Sequence, residues 1–412
     1  MNRSARTRKR DRSPRVECVP NFSEGRDPEV IAEIVQAIEE VPGNEVLDLD
    51  TSTGANRTVV TFIGSPESVS EGAFRGIQKA GERIDMRKHH GAHPRMGATD
   101  VCPFVPVSEI TMADCVAIAR SVGERVGREL GIPVFLYGEA AGISGRRDLA
   151  DIRRGEYEEM PAKMQDPVWR PDFGPREMPP ETGCTAIGAR EYLIAYNINL
   201  DTSETAYATD IALNLREKGR TVRTGNTSPF YYKGEVKYHR QGQYYCGSCE
   251  FTASGIDMLA GHTSQEHGYN LYDLLGSHGQ DPEDLEGQPV KRPGHLSRVQ
   301  AMGWYMEDYD CAQISVNLLD YTVTPLHEVF EAAREEASVR GVAVTGGEIV
   351  GMVPFQALLE SGKYYLGQEV DPAEIPREEI LEEAVRALGL RDKTGFDIEQ
   401  KVLGLQFAWK AD

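Results

Sequence analysis

The densest run of side chains that could do chemistry is Met86-Arg87-Lys88-His89-His90-Gly91-Ala92-His93-Pro94-Arg95-Met96-Gly97. Three histidines and three cations share one stretch that has neither helical nor strand spacing, and Gly91, Pro94 and Gly97 punctuate it. Core packing does not account for such a loop. An imidazole is the side chain suited to proton transfer near neutral pH. Neighbouring Arg and Lys would hold anionic substrates and would favour the neutral, base-competent histidine. Two other readings compete: a solvated basic turn, and a metal site built on His89 and His93. Against the metal, no carboxylate or cysteine stands beside them at ligand spacing.

A second constellation is Cys246-x2-Cys249-x12-His262-x4-His267. This is the spacing of a tetrahedral Cys2His2 zinc site. Tyr244 and Tyr245 precede the first ligand and Leu259 stands three before His262, as the core of a finger requires. Phe251 departs from the usual pattern, which would place the aromatic at Ala253. A finger that reads DNA needs basic and amide side chains along its helix. Residues 254–267 hold no Lys or Arg and carry Asp257 and Glu266, so a structural or interaction finger is expected, with zinc supplying stability that a thin core cannot. Of the other histidines, His239 and His278 are expected at the surface, and His295 and His327 at the starts of elements.

Alternating strands and helices must position these groups. Apolar runs predict strands at 16–20, 46–50, 57–64, 101–107 and 134–137, with helices over 27–40, 66–84 and 112–130. The order β-α-β-β-α-β, with one more helix and strand, suits a ferredoxin-like α+β sandwich. A similar order returns later: strands at 192–200, 300–305, 312–319 and 342–345, helices at 203–218 and 327–340, and a helical piece at 354–361. The duplication rests on element order alone. Residues 151–183 are rich in Pro and Gly and read as the connection between the halves, and 221–295 interrupts the second half.

The chain has 412 residues, too many for one compact core. Its formal charge is −20, which disfavours non-specific nucleic-acid binding and suits a salt-rich cytosol. No apolar run is long enough to span a membrane, and no secretory signal is seen, so a cytoplasmic location is expected. Residues 1–15 read as a disordered basic tail. The seven cysteines are expected to be reduced, with a clustered pair read as metal ligands before a disulfide.

Longer motifs carry a resemblance. Val16-Glu17-Cys18-Val19-Pro20-Asn21-Phe22-Ser23-Glu24-Gly25, Asn56-Arg57-Thr58-Val59, His93-Pro94-Arg95-Met96-Gly97-Ala98 and Asp100-Val101-Cys102-Pro103-Phe104 resemble the formiminotransferase family. So do Tyr137-Gly138-Glu139-Ala140-Ala141, Pro171-Asp172-Phe173-Gly174-Pro175, Ala212-Leu213-Asn214-Leu215-Arg216 and Gln313-Ile314-Ser315-Val316-Asn317-Leu318. The match runs over about 16–220 and 296–359.

The resemblance implies transfer of the formimino group of N-formimino-glutamate to N5 of tetrahydrofolate, releasing glutamate, a step of histidine breakdown. His93 would correspond to the family's catalytic histidine. Asp50 would be an acid near the site, orienting the histidine or the pterin; taken alone it reads as a strand-end turn residue. The segment Gly174, Pro175, Arg176, Glu177, Met178, Pro179, Pro180, Glu181, Thr182, Gly183 would be the folate-contacting loop, although its interior departs from the family's usual form. Arg57, Arg95, Arg87 and Lys88 could pair with substrate carboxylates. Formyl transfer, 5-formyltetrahydrofolate cyclisation and a non-catalytic folate- or partner-binding role are the alternatives.

The expected architecture is α+β, two ferredoxin-like units with a substrate cleft between them. The first spans 16–183 and the second 184–365, with a zinc-finger-like insert at 238–290 and an extension at 366–412. The family's transferase part lacks such an insert, which is open to a role as lid or homodimer contact. No cyclodeaminase domain is expected to follow, so the product would pass to a separate enzyme.

Overall fold

The computed structural model describes residues 13–225, 233–367 and 375–404. The expected basic tail lies outside the described residues except for its last three, and so does part of the C-terminal extension. The chain divides into two compact units, Met1–Tyr192 and Leu193–Asp412.

In the first unit a broken strand, β1 (Arg15–Cys18) and β2 (Asn21–Phe22), leads to helix α1 (Pro28–Glu39). Asp27 sets its start, its carboxylate accepting the N–H groups of Glu29 and Val30 ahead of Pro28. The hairpin β3 (Glu45–Ser52) and β4 (Arg57–Gly64) follows, then α2 (Pro66–Arg83), capped by Ser65. Next come β5 (Thr99–Ser108), α3 (Met112–Arg125) with a Thr111–Asp114 capping box, and β6 (Val134–Gly138).

Across the sheet the order is β3, β4, the β1/β2 strand and β5, antiparallel throughout. The strand β7 (Thr185–Ala189) then pairs parallel with both β5 and β6. The expected β-α-β-β-α-β path is present, and β7 is an addition that the sequence did not reveal.

Alternate strand residues Val16, Cys18, Phe62 and Phe104 meet Ile34, Ile38 and Ile77 of the helices in the main core. Each such buried side chain contributes about 1.5–3 kcal/mol. The other face carries Val101, Phe135, Tyr137 and Ala186, partly covered by Ile152 of α4 (Leu149–Arg153) and Met160 of α5 (Glu156–Lys163). The stretch 151–183 is thus folded into the first unit, which runs on to Tyr192. Its prolines do not make it a linker. Pro161 sits within α5, and Pro167 opens a short 3₁₀ turn.

The second unit begins with β8 (Ile194–Leu200) and α6 (Thr205–Leu215). After an insert holding α7 (Ile256–His267) and α8 (Leu271–Ser277), the strands Val299–Met306 and Cys311–Leu318 follow. Then come α9 (Leu326–Val339), the strand Val344–Val350, α10 (Phe355–Leu366) and α11 (Arg377–Ala387). The sheet order is Val299–Met306, Cys311–Leu318, β8, Val344–Val350, antiparallel throughout. Counting strands along the path, both units read 2-3-1-4. The same strand order in two halves supports the repeat independently of element order.

Candidate functional site

The His93 loop joins α2 to β5 and is tied down residue by residue. His89 is buried, with Nε2 2.8 Å from the Asn56 carbonyl and Nδ1 3.3 Å from Arg95 Nε. Arginine is always a donor, so Nδ1 accepts and Nε2 carries the proton. Both ring nitrogens of His89 are therefore used inside the protein, which disposes of the His89–His93 metal reading. Gly91 passes so close to the hairpin that a Cβ there would lie 2.2 Å from the Ala55 carbonyl oxygen. Asn56 Nδ2 donates to the His90 carbonyl at 3.0 Å, and the Ala92 N–H to Gly54 at 3.3 Å. The hairpin between β3 and β4 is thus a cradle for the loop.

Arg95 is 7% exposed, and its guanidinium is taken up by Glu158 and Glu156 at 2.7–3.0 Å. It is a strut between the loop and α5. An open cavity of about 450 Å³ lies here, lined by His90, Gly91, Arg95 and the carboxylates Glu156, Glu158 and Glu159. Arg87 pairs with Asp85 and Glu181, and Lys88 with Asp85. The loop's cations are therefore largely met by acids of the same unit.

His93 itself is partly buried. Burial first, then the charges of Arg57 and Arg153, hold its imidazole well below the ordinary range, so it is neutral at pH 7. Arg153 ends α4 and pairs with Asp100, a carboxylate 1% exposed that also accepts the Met96 N–H at 3.1 Å. This buried pair fixes the end of the loop and sets a positive charge near the imidazole.

Asp50 lies on β3 opposite Val59, and Arg57 opens β4 opposite Ser52. Arg57 and His93 are electrostatically coupled; Asp50 is not among the groups acting most strongly on the imidazole.

The 174–183 segment abuts the same loop. Its entry is fixed by Asp172, whose Oδ2 accepts the Leu136 N–H at 2.8 Å and pairs with the buried Arg146. Gly174 has φ +84°, and a Cβ would meet the Ile132 carbonyl at 2.4 Å. Downstream, the carbonyl of Glu181 accepts from Met86 and that of Thr182 from Ala98, both at 2.8 Å. Pro180 accepts the Tyr157 hydroxyl at 2.7 Å, and Gly183 bridges Gly97. Arg176, Glu177 and Glu181 are exposed, while Met178 packs against the Met96–Tyr137 cluster. His93, Arg57, Arg95 and the 174–183 segment are thus gathered around one loop.

Several groups were not singled out by sequence. Glu17, on the sheet face opposite the main core, is 1% exposed, and burial pushes its carboxyl up to about 7 against the opposing Arg190 charge. Arg190 also bonds the buried Tyr137 hydroxyl, which burial pushes up to about 12. An acid inside an apolar strand was the available signal for Glu17; Arg153 and Arg190 stood in segments without motif spacing. In the second unit, Gln313 Nε2 donates to Asn199 Oδ1 at 2.7 Å, Asn197 to Glu348 at 3.0 Å, and Trp304 Nε1 to Gln313 at 2.9 Å. Alternation of Asn197 and Asn199 with apolar residues in β8 was the sign of this polar sheet face.

The Cys246, Cys249, His262 and His267 ligand atoms all lie within 4.8 Å of one another. Cys249 Sγ is 3.2 Å from His262 Nε2 and 3.3 Å from His267 Nε2. Two ligands of one tetrahedral zinc are separated by about 3.5 Å. The hairpin Tyr244–Tyr245/Thr252–Ala253 and α7 supply the ligands, with Leu259 fully buried. Phe251, off the usual position, stacks on His262 with centroids 3.9 Å apart. His239 corrects an expectation: it is buried at the insert's base, and its Nδ1 accepts the Tyr245 N–H at 3.2 Å.

The model of the formiminotransferase domain, N-terminal subdomain, matches residues 15–190, and that of the formiminotransferase domain matches 279–408. The chain belongs to the formiminotransferase family. Rat formimidoyltransferase-cyclodeaminase is 41% identical over 94% of this chain and 59% of its own length. Glutamate formimidoyltransferases of Streptococcus pyogenes and Thermoplasma acidophilum are each 36% identical, over 86% and 85% of this chain and 94% and 92% of their own. The chain therefore spans about three fifths of the bifunctional relatives. Neither family model covers 191–278, where the Cys2His2 set lies. Among the described residues no helix is long and apolar enough to cross a membrane.

Proposed function

We propose that the protein transfers the formimino group of N-formimino-L-glutamate to N5 of tetrahydrofolate, releasing glutamate, as the names of its relatives suggest. The observation that carries this reading is His93. Its imidazole is held neutral in a loop braced on one side by the β3–β4 hairpin and on the other by the 174–183 segment. A neutral histidine can accept a proton at pH 7.

The N5 lone pair attacks the formimino carbon while His93 takes the N5 proton. The tetrahedral species collapses by breaking the carbon–nitrogen bond to glutamate, whose amine leaves with a proton returned from the imidazolium. Arg57 is proposed to pair with a substrate carboxylate, and Asp50 to orient the pterin or the histidine. Residues 174–183 are proposed to contact folate. Arg95 would act by holding the loop. The product suits a cyclodeaminase of the kind the bifunctional relatives' name describes.

We further read each unit as a ferredoxin-like sandwich, place the protein in the cytoplasm, and assign a zinc ion to Cys246, Cys249, His262 and His267. The donor set fits zinc, which would supply structural stability and no chemistry at the transfer site.

The test is an assay of purified protein with formimino- and formyl-glutamate as competing donors. Turnover of the formimino donor with tetrahydrofolate is expected. Turnover of the formyl donor alone would replace this reading with the sister activity.

A further inference from the structure

The insert leaves and re-enters the second unit through a very short ribbon. Arg220–Thr221 pairs antiparallel with Lys291–Arg292. The Val222 N–H donates to Val290 at 2.8 Å, Val290 to Lys237 at 2.8 Å, and Lys237 back to Val222 at 3.0 Å. So small a ribbon is marginally stable by itself.

Two contacts from the Cys2His2 region reach it. In the knuckle Cys246-Gly247-Ser248-Cys249, a Cβ on Gly247 would lie 2.0 Å from the Lys291 carbonyl oxygen and 3.1 Å from Arg292 Cα. Backbone therefore meets backbone with no room for a side chain. At the far end of α8, whose Leu271 and Leu275 join the insert's small core, His278 Nε2 donates to the Lys218 carbonyl at 2.8 Å.

The ribbon is fastened in turn to α6. Arg220 Nη1 donates to Asp210 and Asn214 at 2.9 and 3.0 Å, and Arg292 to Asn214 at 2.9 Å. Arg340, beyond α9, completes the cluster by pairing with Asp210 and Glu336. A continuous path thus runs from the metal ligands to α6, the helix packed on the strand Val299–Met306. Among the described residues the insert's core holds few side chains, chiefly Ala253, Leu259, Leu271, Leu275 and Leu285 around Cys246, a core of the size that metal ligation commonly stabilises.

We propose that zinc on Cys246, Cys249, His262 and His267 is a clasp: it fixes the knuckle that Gly247 lays against Lys291–Arg292, and so fixes the ribbon that joins the insert to α6. This rests on the zinc assignment above and extends it, since a finger tethered by flexible arms would leave the ribbon indifferent to metal.

The experiment uses the full chain. Metal content and the thiolate–cobalt absorption of the Co(II)-exchanged protein report binding. Hydrogen exchange of peptides covering 218–224 and 288–293, with and without a chelator, reports the clasp. About one zinc per chain and a tetrahedral cobalt spectrum are expected. Metal removal should speed exchange in both peptides at least about tenfold while β8 stays protected. No metal and no cobalt band, with Cys249→Ser indistinguishable from the parent, would overturn the zinc assignment. Bound metal with unchanged exchange on its removal would overturn the clasp alone. Gly247→Val keeps all four ligands and should loosen both peptides even when loaded; parental protection would remove Gly247 as the link.

Discussion

His93 is one of three histidines in five residues, and the structure separates their roles by environment. His89 is consumed by hydrogen bonds to Asn56 and Arg95, while His93 is flanked by the charges of Arg57 and Arg153. Burial first, then those charges, lower its pKa, so the neutral form proposed to accept the proton persists as pH falls below the usual imidazole value, and the rate is expected to fall only on further acidification. Arg57→Gln removes one of the two cations. The acid limb of kcat/KM should then move up in pH, together with a raised KM; a pH–rate series on both proteins checks it.

Glu17 makes an opposite linkage. Its carboxyl titrates at about 7 when folded, against an ordinary 4.5. The unfolded chain therefore releases this proton first, and stability falls as pH rises from about 4.5 to 7, by on the order of 3 kcal/mol. Glu17→Gln should flatten that part of the stability–pH curve in urea titrations. The charged residues here show how far the sequence could be read. The His93 cluster was legible because it broke every periodicity, whereas Arg153 acts from another helix and only the fold brings it near.

At the scale of elements, capping and periodicity carried most of the boundaries. Helices α1 and α2 open at Pro28 and Pro66, close to the expected starts at 27 and 66, and the structure adds Asp27 and Ser65 as their caps. The strand β7, Thr-Ala-Ile-Gly-Ala, was not legible because small residues carry little β propensity, and its pairing is set by β5 and β6 on either side. Residues 151–183 misled for a related reason: proline density marks irregular backbone, but here buried Arg146 and Asp172 fasten that backbone to the sheet. The same segment returns beside the His93 loop through Gly97 and Gly183. A Cβ on Gly97 would lie 2.0 Å from the Cys184 carbonyl, and Gly183 has φ +67°. Gly183→Ala should cost about 1–3 kcal/mol and lower activity by displacing the loop, measured by denaturant midpoint and turnover on the same preparation.

At the scale of the whole molecule, two units that share a four-strand 2-3-1-4 order, extended by β7 and β6 in the first, carry different polar faces, one with Glu17 and Tyr137 and one with Asn199, Gln313 and Glu348. That repeat was readable as an order of elements, and the pairing that makes it a structural repeat was not, because long-range register leaves no local mark. The whole chain also carries −20. Self-repulsion of that size is screened by salt, so the unfolding midpoint should rise between low ionic strength and about 1 M salt; a flat series would show that the acids are locally balanced. The central claim concerns the proton at N5. The most direct measurement is steady-state turnover of formiminoglutamate and tetrahydrofolate by His93→Ala beside the parent, with both shown to be folded. A loss of about 10²–10⁴ in kcat, with substrate binding retained, is the predicted result. Parental kcat in the variant would contradict the account.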